Sequence, residues 1–279
     1  MVVQKYRKTS KMQRSVWDEK EFVNERGTEA VKQLFNNKSY FDYPKSIFTI
    51  KCIIELGSDE DCLILDFFSG SSTTAHAVMQ LNSEDNGARK YIMVQLPEPA
   101  TEQAHDEGYN SLCDIAKERI RRAGKKIKEE NPLTTQDLDT GFRVFKCDSS
   151  NYKDVVFAPK DYDQGMLEGL RDNIKEDRTD LDLLFDCMLR WGVELSLPLN
   201  TTKVDGCTIH NVNDGDLVAC FDGNVTEAVI DAIADLSPLR VVFRDSSFCE
   251  AAQKMNLFEL FKQKCDWTDE EVKNNVRVI

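Results

Sequence analysis

The sequence predicts an α/β fold for its first half and a smaller α+β domain after it. Cys62–Leu65 is an apolar run too short for a helix, and the small residues Ser69–Ser72 follow it. Thr73 and Thr74 then open a segment with apolar positions near helical spacing. Tyr91–Val94 is a second apolar run, typical of a buried strand in a parallel sheet. Two strands separated by a helix indicate a parallel α/β arrangement.

Composition indicates a soluble globular protein of one large or two ordinary domains. The 279 residues are 41% hydrophobic and 30% charged. No apolar run approaches the roughly 20 residues that span a bilayer, and the basic N-terminus lacks the apolar core of a signal peptide. The nine cysteines never form a C-x-x-C motif and have no histidine at zinc spacing. We therefore expect free thiols, a cytoplasmic location and no metal site.

The net charge of −13 argues against this chain being, by itself, a main DNA-binding surface. Residues 1–40 are predicted to form a polar N-terminal arm that contains a short helix at Thr28–Phe35. The arm carries a basic cluster, which consists of Lys5, Arg7, Lys8, Lys11 and Arg14. This cluster suits either a DNA backbone or a solvated arm, and we favour the solvated arm because few aromatic residues interleave with it.

The elements of residues 41–148 follow from turn and helix signals. Phe41–Lys45 is a loop in which Pro44 holds the preceding residue extended, and an amphipathic helix then runs from Ile47 to Gly57. Tyr109–Glu130 is a long helix whose crowded basic residues, Lys117, Arg119, Arg121, Arg122, Lys125, Lys126 and Lys128, predict a solvated face rather than a DNA contact. The alternating segment Gly141–Cys147 predicts a half-buried strand near the domain boundary.

Residues 149–279 show no catalytic constellation and predict an α+β domain for subunit association. Its acidity fits a protein partner better than nucleic acid, and a stabilising appendage without a partner is the alternative. The predicted helices are Tyr162–Ile174, Leu181–Leu195, Val225–Leu236 and Phe248–Lys264. The predicted strands are Val204–His210, Leu217–Phe221, Leu239–Phe243 and Val276–Ile279, the first two joined through a turn at Asn213–Gly215.

The bend between the first strand and its helix is the candidate binding site. Free N–H groups and the positive end of a helix dipole collect at such a bend, where an anionic or carboxylate-bearing ligand can bind. The dinucleotide fingerprint needs three spaced glycines, but only Gly70 is present. A P-loop needs a lysine directly after the loop, but none occurs before Lys90. An NAD-dependent oxidoreductase is therefore disfavoured.

Three separated motifs give the bend a family resemblance. Leu65–Ala75 closely resembles the motif with which β-class amino-methyltransferases hold S-adenosylmethionine. Its extension to Val78, together with Phe41–Lys45 and Val94–Pro99, resembles the modification (Mod) subunit of type III restriction–modification systems. These subunits are adenine-specific DNA methyltransferases. The C-terminal region, including Val242–Asp245, also resembles theirs. The resemblance implies a partial Rossmann-like methyltransferase sheet in residues 41–148.

The resemblance also implies a set of S-adenosylmethionine-binding residues: Lys45, Asp66, Phe67, Phe68, Ser69, Gly70, Ser71, Ser72, Thr73, Thr74, Gln95 and Glu98. The loop at Lys45 lies against the methionine end of the cofactor in the family, although a surface lysine is the alternative. Either Gln95 or Glu98 is expected to take the ribose hydroxyls, because both follow the second strand. Ser72 departs from the family, which usually has a second glycine there.

One expected motif is missing from the sequence. Family enzymes prepare the adenine amine with an Asp/Asn-Pro-Pro-Tyr/Phe loop, but this chain has no Pro-Pro pair, so no catalytic residue is assigned. In β-class enzymes that loop and the target-recognition region precede the cofactor motifs. We therefore expect the C-terminal half of the family architecture, from a truncated gene or a fragment, with weak or no cofactor binding and no DNA methylation by the chain alone.

The expected partners are those of the family. They are DNA, bound mainly through the other half, a second copy in a homodimer, and a restriction subunit. A non-catalytic assembly or dimerisation module that keeps the methyltransferase fold is the alternative function.

Overall fold

The structure is a computed structural model that describes residues 15–153, 173–248 and 251–279. The chain divides between Phe142 and Arg143 into two compact units. The basic cluster of the predicted arm and most of the helix predicted at Tyr162–Ile174 lie outside the described residues. Among the described residues, no helix has both the length and the apolar character needed to cross a membrane.

The first unit is a mixed α/β assembly around one parallel strand pair. Its helices are α1 (Asn24–Leu34), α2 (Ile47–Gly57), α3 (Thr73–Asp85), α4 (Glu102–His105) and α5 (Leu112–Glu130), and its strands are β1 (Leu63–Asp66) and β2 (Lys90–Met93). The two strands run parallel, with Leu63 opposite Lys90 and Asp66 opposite Met93. The sequence predicted α2 and both strands closely, whereas α1 begins four residues before the predicted start and α5 begins three residues after it.

Helix α3 is the centre of the first unit. Apolar residues on all its sides are buried, because α2 packs against it on one side and α1 and α5 pack on the other. A helix that is apolar all round belongs in an interior. The buried apolar side chains of α3 are Ala75, Ala77, Val78, Met79 and Leu81. This packing fixes the start of α3 firmly against the end of β1.

Among the residues that the structure describes, helices cover one face of the strand pair and leave the other exposed. Ile64 and Tyr91 pack against the core between α2 and α3. Leu65 and Ile92 point to the opposite face and are 58% and 46% exposed. The prediction of strands buried on both faces is therefore wrong for this unit, because a parallel sheet needs a helical layer on each face and the described residues supply one.

The C-terminal end of the first unit also differs from its prediction. A capping box at Ser111 and Asp114 starts α5. Gly124 is buried inside this helix and faces the Thr140 side chain. Gly141–Cys147 is not a strand; apart from Phe142 it is exposed. The segment has no neighbouring strand to pair with among the described residues, so its alternating sequence did not by itself produce a strand.

The second unit contains a five-stranded mixed sheet in the order β3-β4-β5-β6-β7. The strands are β3 (Leu199–Val204), β4 (Cys207–Val212), β5 (Leu217–Cys220), β6 (Val241–Phe243) and β7 (Val276–Val278), and the helices are α6 (Asp180–Trp191), α7 (Glu227–Asp235), α8 (Ala251–Lys264) and α9 (Asp269–Asn275). The β3–β4 and β4–β5 pairs are antiparallel, whereas β5–β6 and β6–β7 are parallel.

Helices cover both faces of this second sheet. Val218 and Phe243 face the core that α7 and α8 complete, while Ala219 and Val242 face the core that α6 completes. The predicted turn between β4 and β5 is confirmed. The strand predicted at Val204–His210 is wrong in extent, because a turn at Asp205 and Gly206 splits it and the missed strand β3 precedes it. Leu189 of α6 is 64% exposed, although it is an apolar residue within the helix predicted at Leu181–Leu195.

Candidate functional site

The bend from β1 to α3 has the predicted strand, loop and helix, and two of its residues have left-handed backbone conformations. Gly70 has φ 50° and Ser72 has φ 57°. A glycine adopts this conformation freely, whereas a serine does so at a cost. The Ser72 N–H donates to the Ser69 carbonyl at 2.7 Å, which closes the turn directly before Thr73. The first N–H groups of α3 consequently point out of the end of the helix.

Asp66 ties the two ends of the bend together. Its Oδ2 accepts a hydrogen bond from Thr74 Oγ1 at 2.6 Å, and its Oδ1 accepts one from the Phe68 N–H at 3.3 Å. The carboxylate stands at the last position of β1, so it links the strand to the first turn of the helix. We infer that this contact fixes the direction in which the loop leaves the sheet.

Gln95 anchors the middle of the loop from the end of β2. Its Oε1 accepts a hydrogen bond from the Gly70 N–H at 2.7 Å, and the Ser69 N–H donates to the Val94 carbonyl at 3.1 Å. The Gln95 oxygen is thus engaged and its Nε2 remains as a donor. Glu98, the other residue expected at the ribose, is exposed.

Arg119 supports the loop from within the core, so the prediction that it lies on a solvated face of the helix is wrong. Its side chain is fully buried, and its Nη1 donates to Ser71 Oγ at 2.6 Å, to Thr73 Oγ1 at 2.8 Å and to the Ser71 carbonyl at 3.2 Å. Burial lowers the pKa of Arg119 to about 10, so it stays charged at neutral pH. The sequence does indicate this position, because Arg119 follows the apolar residues Ile115 and Ala116 by four and three residues. That spacing puts Arg119 on the inward face of α5.

Of the other residues in the predicted motifs, one packs against the loop and three are exposed at the surface. The Phe41 ring lies against Gly70, where an added Cβ would come within 3.1 Å of Phe41 Cζ. Lys45 contacts α1 through its carbonyl, which lies against Gly27, while its side chain is exposed. Phe67 and Phe68 are also exposed, with ring centroids 5.1 Å apart.

The hydroxyl groups of the bend shape the loop instead of lining an open pocket. All five hydroxyl side chains are buried, namely Ser69, Ser71, Ser72, Thr73 and Thr74. Three of these hydroxyls already bond to Asp66 or Arg119. A ligand would therefore meet the backbone N–H groups, the helix end, Gln95 Nε2 and the exposed aromatic rings. The bend suits a negatively charged group attached to a flat or apolar one.

Cys207, Cys220 and Asp222 form a separate cluster in the second unit. Their ligand atoms lie within 4.8 Å of one another. Burial raises the pKa of both thiols, that of Cys220 to about 12, and metals bind the thiolate form. The Asp222 carboxylate already accepts the Thr208 N–H. The cluster is explained as part of the packed sheet.

Comparison with known proteins defines the class of the first unit. Residues 2–123 match a family model described as DNA methylase. The EcoPI Mod subunit of Escherichia phage P1 is 30% identical over 91% of this chain and 39% of its own length. The EcoP15I Mod subunit of Escherichia coli is 32% identical over 84% of this chain and 36% of its own length.

A shorter match is closer in sequence. The StyLTI Mod subunit of Salmonella typhimurium is 42% identical over 44% of this chain and 19% of its own length. The chain thus spans less than two fifths of the length of each of these relatives. The predicted resemblance is confirmed: this chain is similar to the Mod subunits of type III restriction–modification enzymes, and its residues 2–123 match the DNA methylase family model.

Proposed function

We propose that this chain is the S-adenosylmethionine-binding portion of a site-specific DNA adenine-N6 methyltransferase of a type III restriction–modification system. The observation that carries the proposal is the bend after β1, which Asp66, Gln95 and Arg119 hold from three different elements. Three anchors on the seven residues Phe68–Thr74 produce a preorganised backbone site. The relationship to Mod subunits supports a methyl donor as its ligand.

In this proposal the chain binds and orients the donor. The N-terminal end of α3 receives the carboxylate of its amino-acid tail, and Gln95 Nε2 donates to a ribose hydroxyl. Phe67 and Phe68 provide an exposed aromatic surface for the adenosine. Lys45 is a further cation for the methionine end. When bound, the donor supplies an electrophilic methyl group on a sulfonium sulfur.

We further propose that methyl transfer needs a polypeptide that this chain does not contain. The exocyclic amine of adenine is a poor nucleophile, and no Pro-Pro motif is present to accept its protons and stack on the base. The exposed apolar face of β1 and β2 supports the same proposal, since the described residues provide no second helical layer for this parallel pair. The domain limits, the DNA contact through the other half, the homodimer and the restriction subunit remain proposals drawn from the family.

Calorimetric titration with S-adenosylmethionine tests the binding proposal. We expect a weak but saturable heat, because the loop is preorganised while half of the surrounding sheet is uncovered. Asp66→Ala should weaken binding at least about tenfold by releasing the helix start from the strand. Asp61→Ala is the matched control, since that carboxylate is exposed and lies just before β1. Equal binding by both variants would contradict the assigned role of the bend.

A non-catalytic assembly module is the second candidate function. The uncovered apolar face of the strand pair favours it, because exposed apolar patches mark interaction sites. The same titration separates the two functions. Absence of any saturable heat with the purified chain would favour the assembly module.

Methyl transfer by the chain alone is the second test. We expect the purified chain to transfer no tritiated methyl from S-adenosylmethionine to DNA. Incorporation above a no-enzyme control would refute the proposal that another polypeptide completes the enzyme.

A further inference from the structure

The Arg119 guanidinium is a buried positive charge that its three loop contacts do not neutralise. Its side chain is fully buried, and its Nε and Nη2 find no hydrogen-bond partner among the described residues. No carboxylate of those residues forms an ion pair with it. A buried cation without an anion is costly, and natural proteins retain one mainly where a ligand or an ion completes it.

This positive charge lies beside the N-terminal end of α3. Nη1 bonds to Ser71 and Thr73, which flank the turn at Ser72. The guanidinium therefore lies next to the backbone whose N–H groups face a ligand. The charge and the helix dipole have the same sign there, so their potentials add in the low-dielectric interior.

We propose that Arg119 is a positioning residue that selects ligands bearing a carboxylate at this bend. It acts through Ser71 and Thr73, whose hydroxyl and carbonyl oxygens it fixes, and through its uncompensated positive charge. The inference rests on the proposed function, because it names the residue that favours the carboxylate end of the methyl donor at this bend. It also assigns the contribution of Arg119 to the amino-acid tail and not to the nucleoside.

Two ligands that differ in that tail provide the test. S-Adenosylhomocysteine has the carboxylate, whereas methylthioadenosine retains the nucleoside and sulfur without it. Arg119→Met should weaken S-adenosylhomocysteine binding at least about tenfold and change methylthioadenosine binding less than about twofold. Arg121→Met is the matched control, because Arg121 lies on the same helix but is exposed and should affect neither ligand.

The other outcomes distinguish a failure of the inference from a failure of the proposed function. An equal loss for both ligands, or no loss for either, would overturn the inference and leave the proposed function standing. Failure of the unaltered chain to bind either ligand would overturn the proposed function, and the inference with it. If Arg119→Met does not fold by circular dichroism, Arg119→Lys should still weaken only S-adenosylhomocysteine, because a shorter ammonium cannot bridge both hydroxyls. Unchanged binding by Arg119→Lys would overturn the inference.

Discussion

At the scale of single residues, Ser72 shows how the bend stores strain. Its left-handed conformation is one that a serine reaches at a cost of about 1–2 kcal/mol. Its hydroxyl provides no helix cap in return, since no side-chain capping bond is present at the start of α3. The serine therefore holds this left-handed turn at reduced stability.

Replacing this serine should relieve the strain. Ser72→Gly is expected to raise the free energy of unfolding by up to about 1 kcal/mol, because the relief exceeds the added flexibility of the unfolded chain. Denaturant unfolding measures the change. Ser72→Ala is the control, since alanine keeps the Cβ and should give no gain. A Ser72→Gly variant less stable than the original chain would contradict the assigned strain.

His76 makes the first unit sensitive to acid. Burial, followed by the positive charges of Arg119, Lys126 and Lys51, lowers the pKa of His76 to about 3 from its ordinary 6.5. The unfolded chain therefore binds this proton below pH 6.5 while the folded chain does not. The resulting stability is present above the unfolded pKa and is lost as the pH falls toward 3.

The magnitude can be measured by denaturation at several pH values. Between pH 7 and pH 5, His76 should account for a loss of about 2 kcal/mol in the free energy of unfolding. His76→Leu should remove that part of the pH dependence. His105→Leu should not, because His105 is exposed. Identical pH slopes for the original chain and His76→Leu would contradict the prediction.

At the scale of elements, the contact between α1 and the Phe41–Lys45 loop depends on a glycine. A Cβ at Gly27 would lie 2.1 Å from the Pro44 carbonyl oxygen and 2.6 Å from that of Lys45. These are backbone atoms, so the loop itself would have to move. Because the Phe41 ring of that loop lies against Gly70, the displacement would reach the bend between β1 and α3.

Gly27→Ala should therefore destabilise the chain despite alanine's higher helix propensity. We expect a loss of roughly 1–3 kcal/mol in the free energy of unfolding, since overpacking exceeds the propensity gain of about 1 kcal/mol. Gly57→Ala is the control, because no atom lies within 4 Å of an added Cβ there. Equal stability of the two variants in denaturant unfolding would show that the loop adapts without cost.

The elements also show where pattern reasoning succeeds. Helix α2 and the start of α3 were predicted because their apolar spacing and flanking residues are local signals. Strand β3 was missed because Asn200–Lys203 is polar and exposed at a sheet edge, so no apolar alternation marks it. An edge strand is defined by its hydrogen-bonded neighbour, which the local sequence does not contain.

At the scale of the whole chain, the strand pair of the first unit carries apolar residues on both faces. Among the described residues, helices bury one of these faces and leave the other exposed. Leu65 and Ile92 are exposed, whereas their neighbour Ile64 packs under the helices. Leu63, Val94 and Leu96 extend the exposed face. This surface is larger than single exposed apolar residues on an ordinary protein surface and fits a second layer supplied by other polypeptide.

Substitutions on the exposed face should leave the stability unchanged, whereas a substitution on the buried face should lower it. Leu65→Gln combined with Ile92→Gln should lower binding of an apolar fluorescent dye and leave the free energy of unfolding within about 0.5 kcal/mol. Ile64→Gln is the matched control and should destabilise by roughly 1–3 kcal/mol, because it places an amide against the core. Strong destabilisation by the double variant would show that this face is already packed in solution.

The sequence by itself determined the elements of the bend between β1 and α3 and the resemblance to Mod subunits, because both depend on short runs of neighbouring residues. Only the tertiary structure decided that Arg119 lies beneath the loop, that Gln95 rather than Glu98 holds Gly70, and that one face of the strand pair is uncovered. These facts depend on contacts between residues that are distant along the chain. Such contacts arise from how helices and strands pack, and a local pattern does not specify that packing.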